Sequence, residues 1–84
     1  MNLRPEVQKF AEEMERQLRA NEHKGGWGHC RASYLKDKLN KNLGRLCVTH
    51  PNNREEISRR CANIANFAMM IADNFGVKAK EEGE

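Results

Sequence analysis

The pattern that most constrains this chain is a long apolar stripe in its last third. Six side chains recur there at alternating spacings of four and three residues: Ile57, Cys61, Ile64, Ala68, Ile71 and Phe75. This spacing puts them on one side of an α-helix, with the heptad rhythm of a helix-bundle seam. Four further apolar residues widen the surface beside that stripe: Ala62, Ala65, Met69 and Met70. A helix with two apolar sides needs more partners than one short chain supplies, so we predict a homo-oligomer, either a dimer or a tetramer.

Two shorter helices are predicted before this one. Pro5 suits the first turn of a helix, where its missing N–H costs nothing. An apolar stripe then continues to about Ala20 through Val7, Phe10, Met14 and Leu18. Ser33 is the expected N-cap of the second helix. One face of that helix carries four leucines: Leu35, Leu39, Leu43 and Leu46.

The boundaries of the third helix follow from its flanking residues. Pro51 disfavours a helical residue before it, so the helix is expected to begin near Asn53 and to end at Gly76 as a C′ glycine. No alternating segment rich in Val, Ile and Thr predicts a strand, so the fold is expected to be all-α. We predict one domain over residues 1–84: a three-helix protomer that completes a helical bundle by homo-oligomerisation, with a disordered tail at about 78–84.

The cysteines and the apolar content indicate the cellular compartment of the chain. Three cysteines cannot all pair within one chain, and their spacing is not that of a disulfide framework. No stretch approaches the ~20 apolar residues of a membrane span, and no apolar secretory segment follows Met1. We therefore expect a reducing, cytoplasmic setting with no membrane partner.

The charge of the chain is concentrated in its middle third. Lys and Arg number 15 against 12 Asp and Glu, for a net charge of +3. Residues 31–60 carry eight basic and three acidic side chains, a local charge of +5. Lys41 and Arg45 share one helix face, and Arg60 and Asn63 share another, so antiparallel packing would bring the two faces together. Such a block predicts an anionic partner, with a merely solvated basic surface as the alternative.

Two loops carry the other residues that could act chemically. Residues 21–30 hold three glycines around Trp27, so backbone N–H groups and Lys24 could approach an anion while the indole stacks on a base. The alternative is an interhelix loop in which Trp27 anchors the core. Six further side chains are of the types that bind zinc: His23, His29, Cys30, Cys47, His50 and Cys61. Cys47 and Cys61 lie on helix stripes where thiols commonly act as small core residues, so no metal site is predicted.

Four segments resemble the MazG-like nucleotide pyrophosphohydrolases, especially short phage and bacterial members. Residues 10–15 are similar to the opening helix of that family, and 23–27 to its glycine–tryptophan loop. Residues 39–46 match the second-helix motif in frame, and 63–74 match the end of the third helix. The resemblance implies an all-α fold and a nucleotide ligand.

The chain departs from this family at the metal-binding acids. The family carries Glu-Glu-x-x-Glu on its second helix and Glu-x-x-Asp on its third, and these acids hold Mg²⁺. The corresponding positions here are not acidic: Lys41, Asn42, Arg45, Arg60 and Asn63. Cations at those positions repel a metal ion but attract phosphate oxygens. The resemblance therefore implies a protein that has lost its metal chemistry and kept its phosphate-binding pocket.

Three functions remain open at this stage. The first is a catalytically silent protein that binds, and could sequester, a nucleotide or nucleotide-derived signal without a cofactor. Phosphates would contact Lys24, Lys41, Arg45 and Arg60, while Asn42, Asn63 and Trp27 would supply hydrogen bonds and stacking. The second is an active Mg²⁺-dependent dNTP pyrophosphohydrolase that uses other acids, such as Glu55, Glu56 or Asp73. The third is a protein-binding inhibitor or regulator; no nucleic-acid motif favours a nucleic-acid partner.

Overall fold

The computed structural model describes residues 1–77, which fold into three α-helices. They are α1 (Pro5–Ala20), α2 (Ala32–Cys47) and α3 (Arg54–Phe75), with a single 3-10 turn at Glu22–Lys24 between α1 and α2. These 77 residues contain no strand, so the all-α prediction is confirmed for them. The tail expected at about 78–84 lies outside the described residues.

The predicted helix starts are confirmed for α1 and α3 but not for α2. Pro5 occupies the first turn of α1, and the Asn53 side chain caps α3 by accepting from the Glu56 backbone N–H at 3.4 Å. The N-cap of α2 is Arg31 rather than Ser33, and it makes no side-chain capping bond. The first turn of α2 closes earlier than predicted because the Leu35 N–H already donates to the Arg31 carbonyl at 3.1 Å.

Gly76 ends α3 as predicted, but for a different reason from the one usual for a C′ glycine. Its backbone is extended, with φ −91° and ψ −172°, so the left-handed conformation is not used. Its N–H donates to the Ala72 carbonyl at 2.8 Å. A Cβ at this position would lie 2.6 Å from that same oxygen. The helix therefore ends at a glycine because of close backbone approach.

The core of the described chain is very small. Only Leu35, Ala62 and Asn66 are buried within residues 1–77, and α1 buries no residue at all. α2 packs against α3, and α1 packs against α3 less extensively. Asn66 joins α1 to α3 by donating its side-chain N–H to the Met14 carbonyl at 3.0 Å.

Much of the apolar surface is left uncovered. Val7 and Phe10 of α1 are 45% and 39% exposed, and Phe75 of α3 is exposed as well. Along the predicted stripe of α3, Ala68 is exposed as well, while four residues are partly buried: Ile57, Cys61, Ile64 and Ile71. The buried Ala62 belongs to the apolar residues predicted beside the stripe. The three helices thus form in the predicted order along the chain. One copy of the chain does not cover all of their apolar sides.

Candidate functional site

The predicted approach of the α2 and α3 faces is confirmed by hydrogen bonds between them. The Asn42 side-chain carbonyl of α2 accepts from Arg60 Nη1 at 3.0 Å and from Asn63 Nδ2 at 3.3 Å. Asn42 and Arg60 lie at similar distances along the chain from the connecting turn, so the two helices run antiparallel. Arg60 and Asn63, which the charge pattern singled out, therefore bond across the α2–α3 contact to Asn42, which the family resemblance singled out.

A cavity of about 680 Å³ lies beside this contact, between the end of α1, the glycine-containing loop, α2 and α3. Its lining includes all seven side chains predicted as site residues: Lys24, Trp27, Lys41, Asn42, Arg45, Arg60 and Asn63. The volume falls within the ~300–1,000 Å³ typical of small-ligand sites. The structure thus places the predicted residues around one cavity.

The charge of the lining is strongly positive. Five cationic residues line the cavity: Lys24, Lys38, Lys41, Arg45 and Arg60. The acidic lining residues are Glu15 and Glu22, so the formal charge of the lining is five minus two, or +3. Lys38 was not predicted, although its spacing of three residues from Lys41 puts it on the same helix face. A concave surface with this excess attracts anions.

These cations differ in how firmly they are held. Lys41 pairs with Asp37 at 3.1 Å, but both side chains are more than half exposed, so the pair holds Lys41 weakly. Arg60 is only 15% exposed and pairs with Glu56 at 2.6 Å. Arg45 forms no ion pair within the described residues and is therefore available to a ligand.

The Glu56 carboxylate, which the sequence did not single out for this role, lies among three arginines. It accepts from Arg60 Nε at 2.6 Å and from Arg59 Nη1 at 3.0 Å. The hydrogen bond from Arg60 and the positive charges of Arg60, Arg59 and Arg45 hold the pKa of Glu56 below its ordinary value. Glu56 is therefore ionised near neutral pH. Its spacing of four residues before Arg60 was the signal in the sequence for this pair.

The cavity also has apolar and aromatic lining residues: Leu18, Trp27, Tyr34, Phe67 and Met70. Tyr34 and Met70 lie on the parts of α2 and α3 far from their connecting turn, whereas Lys41, Arg45 and Arg60 lie nearer to it. The Lys38 ammonium lies 5.4 Å from the centre of the Tyr34 ring. A ligand with one anionic end and one flat apolar end matches this division.

Trp27 is fixed to the end of α3 by two hydrogen bonds. Its indole N–H donates to Asp73 at 3.1 Å, and its backbone carbonyl accepts from the Asn74 side chain at 2.8 Å. Gly25 precedes it with φ +88°, a conformation that favours glycine, so the loop can turn there. These bonds attach the loop to the end of α3, and Trp27 lines the cavity as well.

Asn66 is the polar residue buried in this region that the sequence analysis missed. It is 3% exposed, lines the cavity, and its side-chain oxygen has no hydrogen-bond partner within the described residues. Unpaired buried oxygens are uncommon in proteins. Its position inside an otherwise apolar sequence, Ile64-Ala65-Asn66-Phe67-Ala68, was the available signal.

The acids proposed for an active enzyme do not lie together. Glu55 and Glu56 are in the first turn of α3, whereas Asp73 is in its last turn. Seventeen residues of α-helix separate Glu56 from Asp73, which is about 25 Å at ~1.5 Å per residue. One protomer therefore cannot bring these acids to one metal ion. Within residues 1–77, no group of three or more His, Cys, Asp or Glu side chains is placed to hold a metal.

Comparisons of the chain with protein-family models, curated proteins and solved structures find no match. None of the helices described for residues 1–77 has the length and apolarity needed to cross a membrane.

Proposed function

We propose that this chain is a MazG-like protein without hydrolytic activity, which binds a nucleotide or nucleotide-derived anion and thereby sequesters it. The observation that carries the proposal is the cavity itself, which is lined by five cations and by the aromatic side chains of Trp27, Tyr34 and Phe67. Arg45 and Arg60 would bind phosphate oxygens through their planar forks, with Lys41 and Lys24 adding charge. Trp27 and Tyr34 would contact the base.

The proposal extends to the absence of a metal requirement. Lys41, Arg45 and Arg60 stand where the MazG resemblance implies acids that hold Mg²⁺. A bound phosphate chain would be neutralised by the protein directly, through these three cations. Binding without turnover is the expected behaviour.

The test of this function is a titration with and without metal. Nucleoside triphosphates, deoxynucleoside triphosphates and cyclic nucleotides are titrated by calorimetry in Mg²⁺ and then in EDTA, while pyrophosphate release is followed. We expect at least one ligand to bind as tightly in EDTA as in Mg²⁺, with no pyrophosphate formed. Metal-dependent pyrophosphate release would show an active enzyme instead, and no binding by any ligand would favour a protein partner.

We further propose that the protein is a homo-oligomer. Three buried residues among the 77 described are few for a stable domain, since a chain of this length buries only a little over ~60% of its unfolded surface. Val7, Phe10 and Phe75 offer apolar side chains that a second copy could cover. A dimer or tetramer would supply the partners that α3 lacks within its own chain.

Substituting Phe10 tests the oligomer directly. We expect Phe10→Glu to lower the mass measured by light scattering towards the 9.7 kDa of one chain, because a charge would then be buried in the interface. Lys9→Glu is the matched control, since it changes an adjacent exposed residue of α1 by a larger charge. Equal masses for both variants and the wild type would contradict a role for this face.

A further inference from the structure

Among the cations that line the cavity, Arg60 has a guanidinium that is held by two other side chains. Its guanidinium has five N–H donors. One, on Nε, is used by Glu56 at 2.6 Å, and one, on Nη1, is used by Asn42 at 3.0 Å. Five minus two leaves three N–H donors without a partner in residues 1–77. Because Arg60 also lines the cavity, these three donors are the ones available to a ligand.

The two groups that hold Arg60 are themselves held. Asn42 donates its side-chain N–H to the Lys38 carbonyl at 2.9 Å, and its side-chain oxygen also accepts from Asn63 at 3.3 Å. The Asn42 amide therefore has a fixed orientation, with its oxygen towards α3. Its side-chain oxygen is engaged by α3, so Asn42 holds Arg60, and one of its two N–H donors has no partner within residues 1–77.

The Glu56 carboxylate is fixed by its surroundings as well. Its second oxygen accepts from Arg59 at 3.0 Å, and its backbone N–H is bonded to the Asn53 cap. Together, Glu56 and Asn42 restrain the guanidinium of Arg60 on two sides. An arginine restrained in this way loses less conformational entropy when it binds an anion than a freely rotating one does.

We propose that Glu56 is a positioning residue for anion binding: it holds the Arg60 guanidinium, together with Asn42, so that the three remaining N–H donors face a phosphate group. This inference rests on the proposed function and deepens it. Glu56 does not line the cavity, so it acts through Arg60. Through its contact with Arg60, the negatively charged Glu56 favours the binding of an anion. Charge alone would have the opposite effect.

A positioning role and simple charge repulsion predict opposite changes in anion affinity when Glu56 is removed. If Glu56 only repelled or competed with the ligand, removing it would tighten binding. If it positions Arg60, removing it weakens binding although the protein becomes more positive. The probe is inorganic tripolyphosphate, which has no base, so its affinity reports the cationic end of the cavity alone.

The experiment compares three variants by calorimetry in EDTA. We expect Glu56→Ala to weaken tripolyphosphate binding by about tenfold, the size of one lost ordering restraint, and Glu56→Gln to recover part of it because its side-chain oxygen can still accept from Arg60 Nε. Glu55→Ala is the matched control: it removes a neighbouring exposed acid of the same helix turn that does not line this cavity. It should leave binding unchanged or slightly tighter.

A second measurement checks the restraint without any ligand. The Nε–H of Arg60 should give a distinct nitrogen-15 resonance that exchanges slowly with water in the wild type and is lost in Glu56→Ala, while the thermal midpoint shows that the variant is folded. Tight binding by the wild type that Glu56→Ala preserves or strengthens overturns the positioning role alone. A wild type that binds no tripolyphosphate overturns the proposed function and this role with it.

Discussion

Reversing the charges of Arg45 and Arg60 together, as Arg45→Glu with Arg60→Glu, is expected to abolish anion binding. Each arginine would contribute a charge-assisted hydrogen bond to phosphate of about 1.5–3 kcal/mol. Loss of both therefore costs about 3–6 kcal/mol, or roughly 10²–10⁴-fold in affinity. The two new carboxylates add repulsion to this loss. The measurement is calorimetric titration with the tightest nucleotide found for the wild type.

Two further variants control for net charge and for the stability of the charge-reversed protein. Lys9→Glu with Lys36→Glu changes the total charge by the same amount at exposed positions that do not line the cavity. It should lose only the small affinity expected from long-range attraction. Because a glutamate at position 60 would face Glu56, Arg45→Gln with Arg60→Gln provides a milder variant, for which we expect a loss of about 100-fold. If the control loses as much affinity as the cavity variants, binding is a property of net charge rather than of this site.

The helices and the cationic side of the cavity could be predicted from local sequence. Spacings of three and four residues defined each helix, and Pro5 and Asn53 marked two of the starts. The antiparallel contact followed from the short turn between α2 and α3, and this contact brought Asn42 to Arg60. These features depend on neighbours in sequence, or on one turn, and so a single sequence contains the information.

The packed face of α3 could not be predicted in the same way. Apolarity favoured the stripe that includes Ala68 and Phe75, yet both are exposed, whereas Ala62, which lies beside that stripe, and the polar Asn66 are buried. A small alanine permits close approach of helices, and the Met14 carbonyl of α1 satisfies the amide of Asn66. Both effects depend on which helix lies opposite, and a hydrophobic pattern does not contain that information.

The role of Glu56 was missed for a related reason. An acidic residue in the first turn of a helix is favoured by the helix dipole alone, so nothing in the sequence assigned Glu56 a further role in binding. The four-residue spacing indicates the contact with Arg60, but only the structure shows that Arg60 also bonds Asn42 of α2 and lines the cavity. A residue explained by one local effect can therefore hold a second role that depends on the tertiary arrangement.

Truncating Leu35 is expected to have the largest effect on stability. Leu35 is 1% exposed and is the largest fully buried side chain among the described residues. Replacing it by alanine leaves a cavity, and such substitutions cost about 2–5 kcal/mol. Because small domains have only ~5–15 kcal/mol in total, we expect Leu35→Ala to be largely unfolded at moderate urea concentrations. The measurement is urea unfolding followed by circular dichroism.

Leu43→Ala is the matched control, because it makes the same change on the same helix at a side chain that is 42% exposed. In an isolated chain it should cost less than about 1 kcal/mol, since much less apolar area is lost from the interior. The comparison also tests the oligomer: if a second copy covers Leu43, its substitution costs nearly as much as that of Leu35, and the cost depends on protein concentration. A large cost for Leu43 that is independent of concentration would contradict the packing of α2 described here.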